Sequence, residues 1–552
     1  MSLNYDLKTK YAYQLNFDNP LSEYPRPTLV RDSYINLNGY WDLAITDIND
    51  SIPQTFEKKI LVPYVVESAL SGLRYDLKKK EALVYKKEFV VEKSFLNDVV
   101  MLHFGGIMQS ADIYFNNHYL GRYNGGFKEI NLDVSQLINI DNNTLIVKVY
   151  NKPDLNYAVS KEGKKRGGMW YTKTSGIFKT VWLESYSNMA ITKLHIETNV
   201  DGSLYCLVDS LCDSNKVSVI FDGETIFEKE VENDFVLMID NPQLWSPNHP
   251  NLYYIVVDNG YDKVRSYFAF RKWEIKNNKF YLNDEEIFVN GILNQSYFSD
   301  GIYTPASYQV FKDDIMLAKK YGFNALRMHI KLEAEMLYYY ADRYGILIMQ
   351  DLPNSGKYHY MKDTVLPTVL HKWPFVEHRV SKERRLAFLE TGMEIIDKMK
   401  KHPSCFYITI FNEGWGQFEA DKMYQLFKDY EPNFIYDTTS GWFKKKKSDV
   451  LSIHNYFFKL KVPKSKRPVV LSEYGGYSLN IKDHIFNDSK TYGYHNCETK
   501  EDLNRDLQVL FSKIEELKKD GLAGAVYTQL TDIEDETNGL ITYDREVIKM
   551  EE

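Results

Sequence analysis

The chain has 552 residues, 44% hydrophobic and 26% charged, which is enough apolar surface for several packed domains and excludes a disordered chain. A net charge of −8 excludes a basic nucleic-acid surface, and no run approaches the ~18 apolar residues of a membrane span. Four cysteines (Cys206, Cys212, Cys405, Cys497) show neither a disulfide framework nor metal-ligand spacing, and the first residues lack a signal-peptide core, so a cytoplasmic protein without nucleic-acid or membrane partners is expected.

From Leu29 to Glu184 short alternating runs follow one another, among them Val99–Phe104, Ala111–Phe115, Leu145–Tyr150 and Thr180–Glu184. Asn116-Asn117-His118 and Asn124-Gly125-Gly126 are turn signals between them. This rhythm predicts a β-sandwich over residues 1–187. A second set of strands is expected over 188–273: Lys193–Thr198, Ser203–Val208, Lys216–Phe221, Phe235–Ile239 and Tyr253–Asp258. Its length suits an immunoglobulin-like sandwich, and the stretch from Asn241 to Pro247 is a proline-punctuated turn.

Over 274–552 strands alternate with helices. Eight strands are predicted: Glu286–Gly291, Asn324–Met328, Ile346–Asp351, Phe406–Phe411, Phe434–Thr438, Val450–Ile453, Val469–Ser472 and Ala523–Thr528. Helices are predicted at Ser307–Tyr321, Glu333–Tyr344, Ser381–Lys401, Phe418–Tyr430 and Lys500–Lys519. Eight such strands imply a (β/α)8 TIM barrel. Lys444–Lys447 reads as a solvated loop, with contact to an anionic substrate as the alternative.

Two strands carry the chemistry. Cys405–Phe411 is apolar and ends in Asn412-Glu413-Gly414-Trp415-Gly416. Val469–Ser472 ends in Glu473-Tyr474-Gly475-Gly476. A glutamate at the carboxyl end of each of the fourth and seventh strands would face the other across the barrel mouth, which is what glycosidic cleavage needs: one acid to protonate the leaving oxygen, one carboxylate to attack the sugar carbon or activate water.

These segments resemble the acid/base and nucleophile motifs of glycoside hydrolase family 2, which includes β-galactosidases, β-glucuronidases and β-mannosidases. The resemblance extends to Tyr34–Asp42, to Ser175–Glu184, and to Gly322–His329 running on to Tyr344–Asp351, and so covers nearly the whole chain. It implies that the first domain is a jelly roll, the second a spacer, and the barrel a retaining, exo-acting β-glycosidase with Glu413 as acid/base and Glu473 as nucleophile. It also implies that Asn412 binds the sugar 2-hydroxyl, that Tyr456 stands beside the nucleophile, and that Asn538 lies in a loop reaching the sugar. Arg327 would orient Glu473 or Glu413. His329, His454 and Gln295 are substrate-binding candidates. Asp351 would bind a hydroxyl or brace the loop after it. Trp415 and Trp442 are stacking platforms or core.

Long members of the family carry further β-domains past the barrel, and residues those lend to some β-galactosidase sites are expected to be missing here. The first-strand segment reads Asn294-Gln295, and Arg327 is followed by Met-His-Ile-Lys rather than Ser-His-Tyr-Pro. No lysine occurs within Asp535–Asp544 to meet a uronate, and Lys165-Arg166 stands where some β-galactosidases carry an acid. The expected substrate is therefore a neutral β-glycoside, a β-galactoside by default. β-Glucuronides, β-mannosides, arabinosides and a non-hydrolytic carbohydrate-binding role are the alternatives. No cofactor or dedicated metal site is expected, with Mg²⁺ or Na⁺ near the acid/base and a homo-oligomeric state left open.

Overall fold

Alternation of apolar side chains builds the first sandwich. Trp41 and Leu43 of the strand Gly39–Asp47 point inward, as do Leu83 and Tyr85 of Glu81–Val91 and Leu145, Val147 and Val149 of Asp141–Tyr150. Six antiparallel strands form one sheet, and four strands (Tyr34–Asn36, Val181–Tyr186, Val99–Phe104, Ile130–Asp133) form the facing one. Asn116 and Asn117, both at positive φ, make the two-residue turn between Ser110–Phe115 and His118–Asn124. The computed structural model describes residues 3–551 apart from 5, 151–153, 163–165, 360, 367–376 and 444, with only the backbone of 362 and 364. Lys165 and Lys444, both singled out in the sequence, lie outside the described residues.

The second sandwich packs a three-stranded sheet on a four-stranded one. Leu204, Cys206 and Val208 face Val217, Val219, Ile255 and Val257. Two strands here carried no clear sequence signal: Glu224–Val231 exposes nearly every side chain, and Lys263–Phe268 begins with alternating charges.

The barrel strands are β1 (Val289–Asn294), β2 (Ala325–Met328), β3 (Leu347–Asp351), β4 (Cys405–Asn412), β5 (Ile435–Ser440), β6 (Leu451–Asn455), β7 (Val469–Gly475) and β8 (Leu522–Thr528). They pair in parallel in the order β5-β4-β3-β2-β1-β8-β7-β6. The helices are α1 (Gln309–Lys320), α2 (Glu335–Tyr344), α3 (Lys382–Met399), α4 (Ala420–Tyr430) and α5 (Lys500–Lys519). Ser381 and Thr499 cap α3 and α5, each accepting a bond from a backbone amide three residues on.

One predicted strand is displaced. Glu286–Gly291 was expected to open the barrel, but Glu285–Ile287 closes a three-stranded antiparallel sheet with Trp273–Lys276 and Lys279–Leu282. The left-handed pair Asn283-Asp284 turns the chain there, and β1 starts at Val289. That small sheet plugs the barrel floor, where Phe280 and Leu282 pack against Ala325, Leu347, Phe406 and Val470. Among the described residues no helix is long and apolar enough to cross a membrane.

Candidate active site

All eight residues of β4 and all seven of β7 are buried, so both strands deliver their last side chains rigidly to the barrel mouth. β4 ends in a turn with Glu413, Gly414 and Gly416 all at positive φ. A left-handed glutamate is rare and marks a constrained site. The Glu413 amide is tied to the Ser440 carbonyl of β5 at 2.9 Å. The β6–β7 and β7–β8 ladders shift register at Ile453/His454 and between Leu471 and Tyr474. Such irregularities re-aim side chains, and here they turn His454 and Glu473 toward the mouth. One atom each of Glu413, His454 and Glu473 lies within 4.8 Å of the other two.

Arg327, wholly buried at the end of β2, organises the floor. Its Nη1 donates to Glu473 Oε1 and to the Ser472 carbonyl, both at 3.0 Å. Its Nη2 donates to Asn412 Oδ1 and Asp351 Oδ2, both at 2.9 Å, and its Nε to Asp351 Oδ1 at 3.0 Å. Burial lowers the pKa of this guanidinium, but Asp351 and Glu473 outweigh it and push the pKa up. Burial likewise pushes the Asp351 carboxyl up, and Arg327 overrides it, holding the group at about 2. His329 Nδ1 lies 2.9 Å from Asp351 Oδ2. Burial first, then the charge of Lys161, lowers His329 to about 4, so at neutral pH it is an uncharged donor.

Glu473 is held at about 2. Burial pushes it up, and the surrounding charges, His454 and Arg327 foremost, more than reverse that. The Tyr456 hydroxyl donates to Glu473 Oε2 at 2.5 Å and lies 3.0 Å from Thr528 Oγ1. His454 bridges the acids: Nδ1 is 2.7 Å from Glu413 Oε1 and 3.4 Å from Glu473 Oε2, while Nε2 is 2.8 Å from Ser440 Oγ. Ser440, Ser452 and Ser472 continue this network across the β5–β6 seam, where their hydroxyls join the strands.

The opposite wall is amide-rich. Gln295 Nε2 donates to Gln529 Oε1 at 2.7 Å and to Glu536 Oε2 at 3.2 Å. Gln529 Nε2 donates to Glu536 Oε2 at 2.9 Å and to Asn538 Oδ1 at 2.8 Å. Gln295 Oε1 and Asn538 Nδ2 are buried with no partner among the described residues. Glu536 also accepts from the Tyr171 hydroxyl at 2.7 Å, and burial pushes its pKa up. Tyr171 comes from the first sandwich, whose loop lies across the mouth. From the same loop Thr172 N reaches Glu534 at 2.8 Å, Arg166 reaches Asp535 at 2.5 Å, and Lys161 stands 6.0 Å from the Tyr171 ring centroid. The Lys161 ammonium acts on Glu473, His329 and Glu536 and has no ion pair among the described residues.

All twelve candidate site residues read from the sequence, Trp442 included, converge on this end of the barrel. Arg327 touches Glu473 rather than Glu413. Asp351 is 1% exposed, with both carboxyl oxygens engaged by Arg327 and His329. Trp415 is 6% exposed and packs edge-on to Trp170 and Tyr358. Trp442 is half-buried, 6.0 Å from the His454 ring. Sequence reasoning missed Lys161, Tyr171, Gln529, Glu536 and Tyr494. Glu536 lies two residues before Asn538 in the strand-eight loop and Gln529 directly follows the end of β8, signals that were there to be read; Lys161, Tyr171 and Tyr494 have none.

Three family models match the chain in order: a glycosyl hydrolase 2 galactose-binding domain-like model over 58–186, a glycosyl hydrolases family 2 model over 182–271, and that family's TIM barrel domain over 273–492. A putative β-glucuronidase of Formosa agariphila is 23% identical over 486 residues, covering 80% of this chain and 57% of its own. A β-galactosidase of Thermoanaerobacter pseudethanolicus is 24% identical over 351 residues, covering 58% and 46%. The chain thus spans about half the length of these curated relatives. Among solved structures, a β-D-glucuronidase of Dictyoglomus thermophilum superposes with a TM-score of 0.73 at 17% identity, over 95% of this chain and 96% of that one. A β-glucuronidase from an uncultured Clostridium superposes with 0.74 at 18%, over 94% and 96%.

Proposed function

The chain belongs to glycoside hydrolase family 2, and on that premise we propose that it is a retaining, exo-acting β-glycosidase working by double displacement. The observation that carries this reading is the approach of Glu413 and Glu473 to within 4.8 Å over one pocket floor. Retaining enzymes keep their carboxyls ~5–5.5 Å apart, whereas inverting ones need room for a water between them. Glu473, held ionised by Arg327 and oriented by Tyr456, attacks the anomeric carbon and forms a glycosyl-enzyme. Glu413 gives its proton to the leaving oxygen, then takes one from the water that hydrolyses the intermediate. Arg327 occupies Asn412 Oδ1, which leaves the Asn412 amide to donate to the sugar 2-hydroxyl.

For the sugar, an acidic β-glycoside, a β-glucuronide, is the better-supported reading. The absence of a lysine in the strand-eight loop pointed to a neutral sugar, but Lys161 brings an ammonium to the same wall from the first sandwich, and a uronate would meet it there. The β-glucuronidases among the neighbours in fold agree with it. A β-galactoside is the second reading, favoured by the buried Glu536–Gln529–Gln295 cluster, which suits hydroxyls.

Glu473→Gln and Glu413→Gln are each expected to lower kcat on nitrophenyl β-glycosides by about 10²–10⁴-fold or more. If both variants turn over normally, the assignment fails. On a panel of nitrophenyl glycosides, Lys161→Met is expected to lower kcat/KM on the β-glucuronide by about tenfold or more and to spare the β-galactoside. Equal effects on both sugars would remove Lys161 from sugar selection.

A further inference from the structure

Outside the active site, among the described residues, one cluster combines a sulfur donor with nitrogen and oxygen donors. His495 and Cys497 are two residues apart, and in extended chain that spacing puts both side chains on one face. The strand His495–Asn496 is pinned in parallel to Tyr477–Ser478, with Cys497 N donating to the Ser478 carbonyl at 2.8 Å and Ser478 Oγ to the His495 carbonyl at 3.1 Å. Asp506, on the second turn of α5, faces this pair. His495 Nε2 lies 3.0 Å from Asp506 Oδ2, and one donor atom each of His495, Cys497 and Asp506 falls within 4.8 Å of the others. Arg505 Nε holds the other aspartate oxygen, Oδ1, at 3.1 Å, so Oδ2 stays turned to the cluster.

We propose that His495, Cys497 and Asp506 form a binding site for a divalent cation of the Zn²⁺ class. The donor set argues for it: thiolate, imidazole and carboxylate together suit Zn²⁺, while Mg²⁺ and Ca²⁺ take oxygen alone. Tetrahedral zinc bonds of about 2.0–2.3 Å put donor atoms roughly 3.3–3.6 Å apart, so His495 Nε2 and Asp506 Oδ2, at 3.0 Å, need only open slightly to admit the ion, a change within reach of the half-exposed His495 side chain. Three protein ligands leave the fourth tetrahedral position to water. Binding requires the thiol proton to leave, and the cation replaces it.

The site is joined to the chemistry. Tyr494, one residue before His495, turns to the opposite face, and its ring stacks on Tyr456 at 3.7 Å with an interplanar angle of 6°. Tyr456 is the residue whose hydroxyl reaches Glu473. A cation tying this strand to α5 fixes the segment that holds Tyr494 in place.

The test uses the full chain with Zn²⁺ alone and Co²⁺ alone, in a buffer free of chelators. One equivalent of Co²⁺ is expected to give a thiolate-to-cobalt charge-transfer band, and Zn²⁺ to displace it while raising Tm. Cys497→Ser should abolish the band, and His495→Ala and Asp506→Asn should each weaken Zn²⁺ binding about 10–100-fold. The variants' metal-free Tm checks that they fold. Glu413, His454 and Glu473 also offer three donors, but none is sulfur, so Glu413→Gln should keep the band. No band in the wild type, a band that survives Cys497→Ser, or wild-type affinity in the His495 and Asp506 variants would each overturn the site.

Discussion

At Arg327 one side chain serves two carboxylates, an amide and a carbonyl in full burial. Such a charge is tolerable only while every partner is present, and removing it takes from buried Asp351 and Glu473 the guanidinium they share. Arg327→Met is expected to cost about 3–5 kcal/mol of stability, measured by denaturant unfolding. The same change raises the Glu473 pKa, because a lost cation disfavours the carboxylate. Glu473 is then protonated at higher pH, so the acidic limb of the kcat/KM profile moves up, and Arg327→Lys restores part of it. An unmoved limb would show that the Glu473 charge is held by its other neighbours.

The turn after β4 is the element on which the position of Glu413 depends. A Cβ at Gly416 would stand 2.1 Å from the Ser355 carbonyl oxygen, a backbone atom with no rotamer to escape into, and the left-handed φ of 69° adds strain. Gly416→Ala should shift the Glu413 carboxylate and lower kcat by about 10²-fold, the typical effect of a displacement near 1 Å. Gly72 is the control: it is also left-handed, with nothing within 4 Å of its would-be Cβ. Gly72→Ala should cost about 1 kcal/mol and leave kcat unchanged. Equal kcat in the two variants would mean the turn does not position Glu413.

Across the whole molecule the second sandwich is anchored to the barrel. Trp245 is fully buried there, its Nε1 donating to the Asp342 carbonyl of α2 at 2.8 Å. Trp245→Ala should cost about 3–5 kcal/mol in unfolding experiments while kcat on a competent substrate stays near wild type. A charged node reinforces the joint: the Tyr267 hydroxyl and His402 Nδ1 both lie 2.8 Å from Asp342 Oδ2. Burial lowers the His402 pKa, but Asp342 and then Glu335 outweigh it and push it to about 9, above its ordinary 6.5. A raised base stabilises fully below 6.5, and that stability is lost as pH rises through 9. Tm should therefore fall across that window, and His402→Asn should flatten the fall. An identical pH slope in the variant would rule His402 out as its source.

The sequence alone determined the three-domain order, the barrel and the two glutamates, because period-two and strand–helix rhythms are local and Asn-Glu-Gly and Glu-Tyr-Gly mark strand ends without any tertiary context. The family resemblance also placed Tyr456 beside Glu473, where its hydroxyl is found. The sequence did not reach the displaced first barrel strand, since Glu285–Ile287 reads as an extended run whichever sheet takes it. Nor did it reach the pairing of Arg327 with Glu473 over Glu413, or the part His454 plays between the acids. Lys161 and Tyr171 are more than 300 residues from Glu473 along the chain, and only the packing of the first sandwich over the mouth makes them part of its wall. Pocket electrostatics are sums over such distant charges, so the tertiary structure alone decided them.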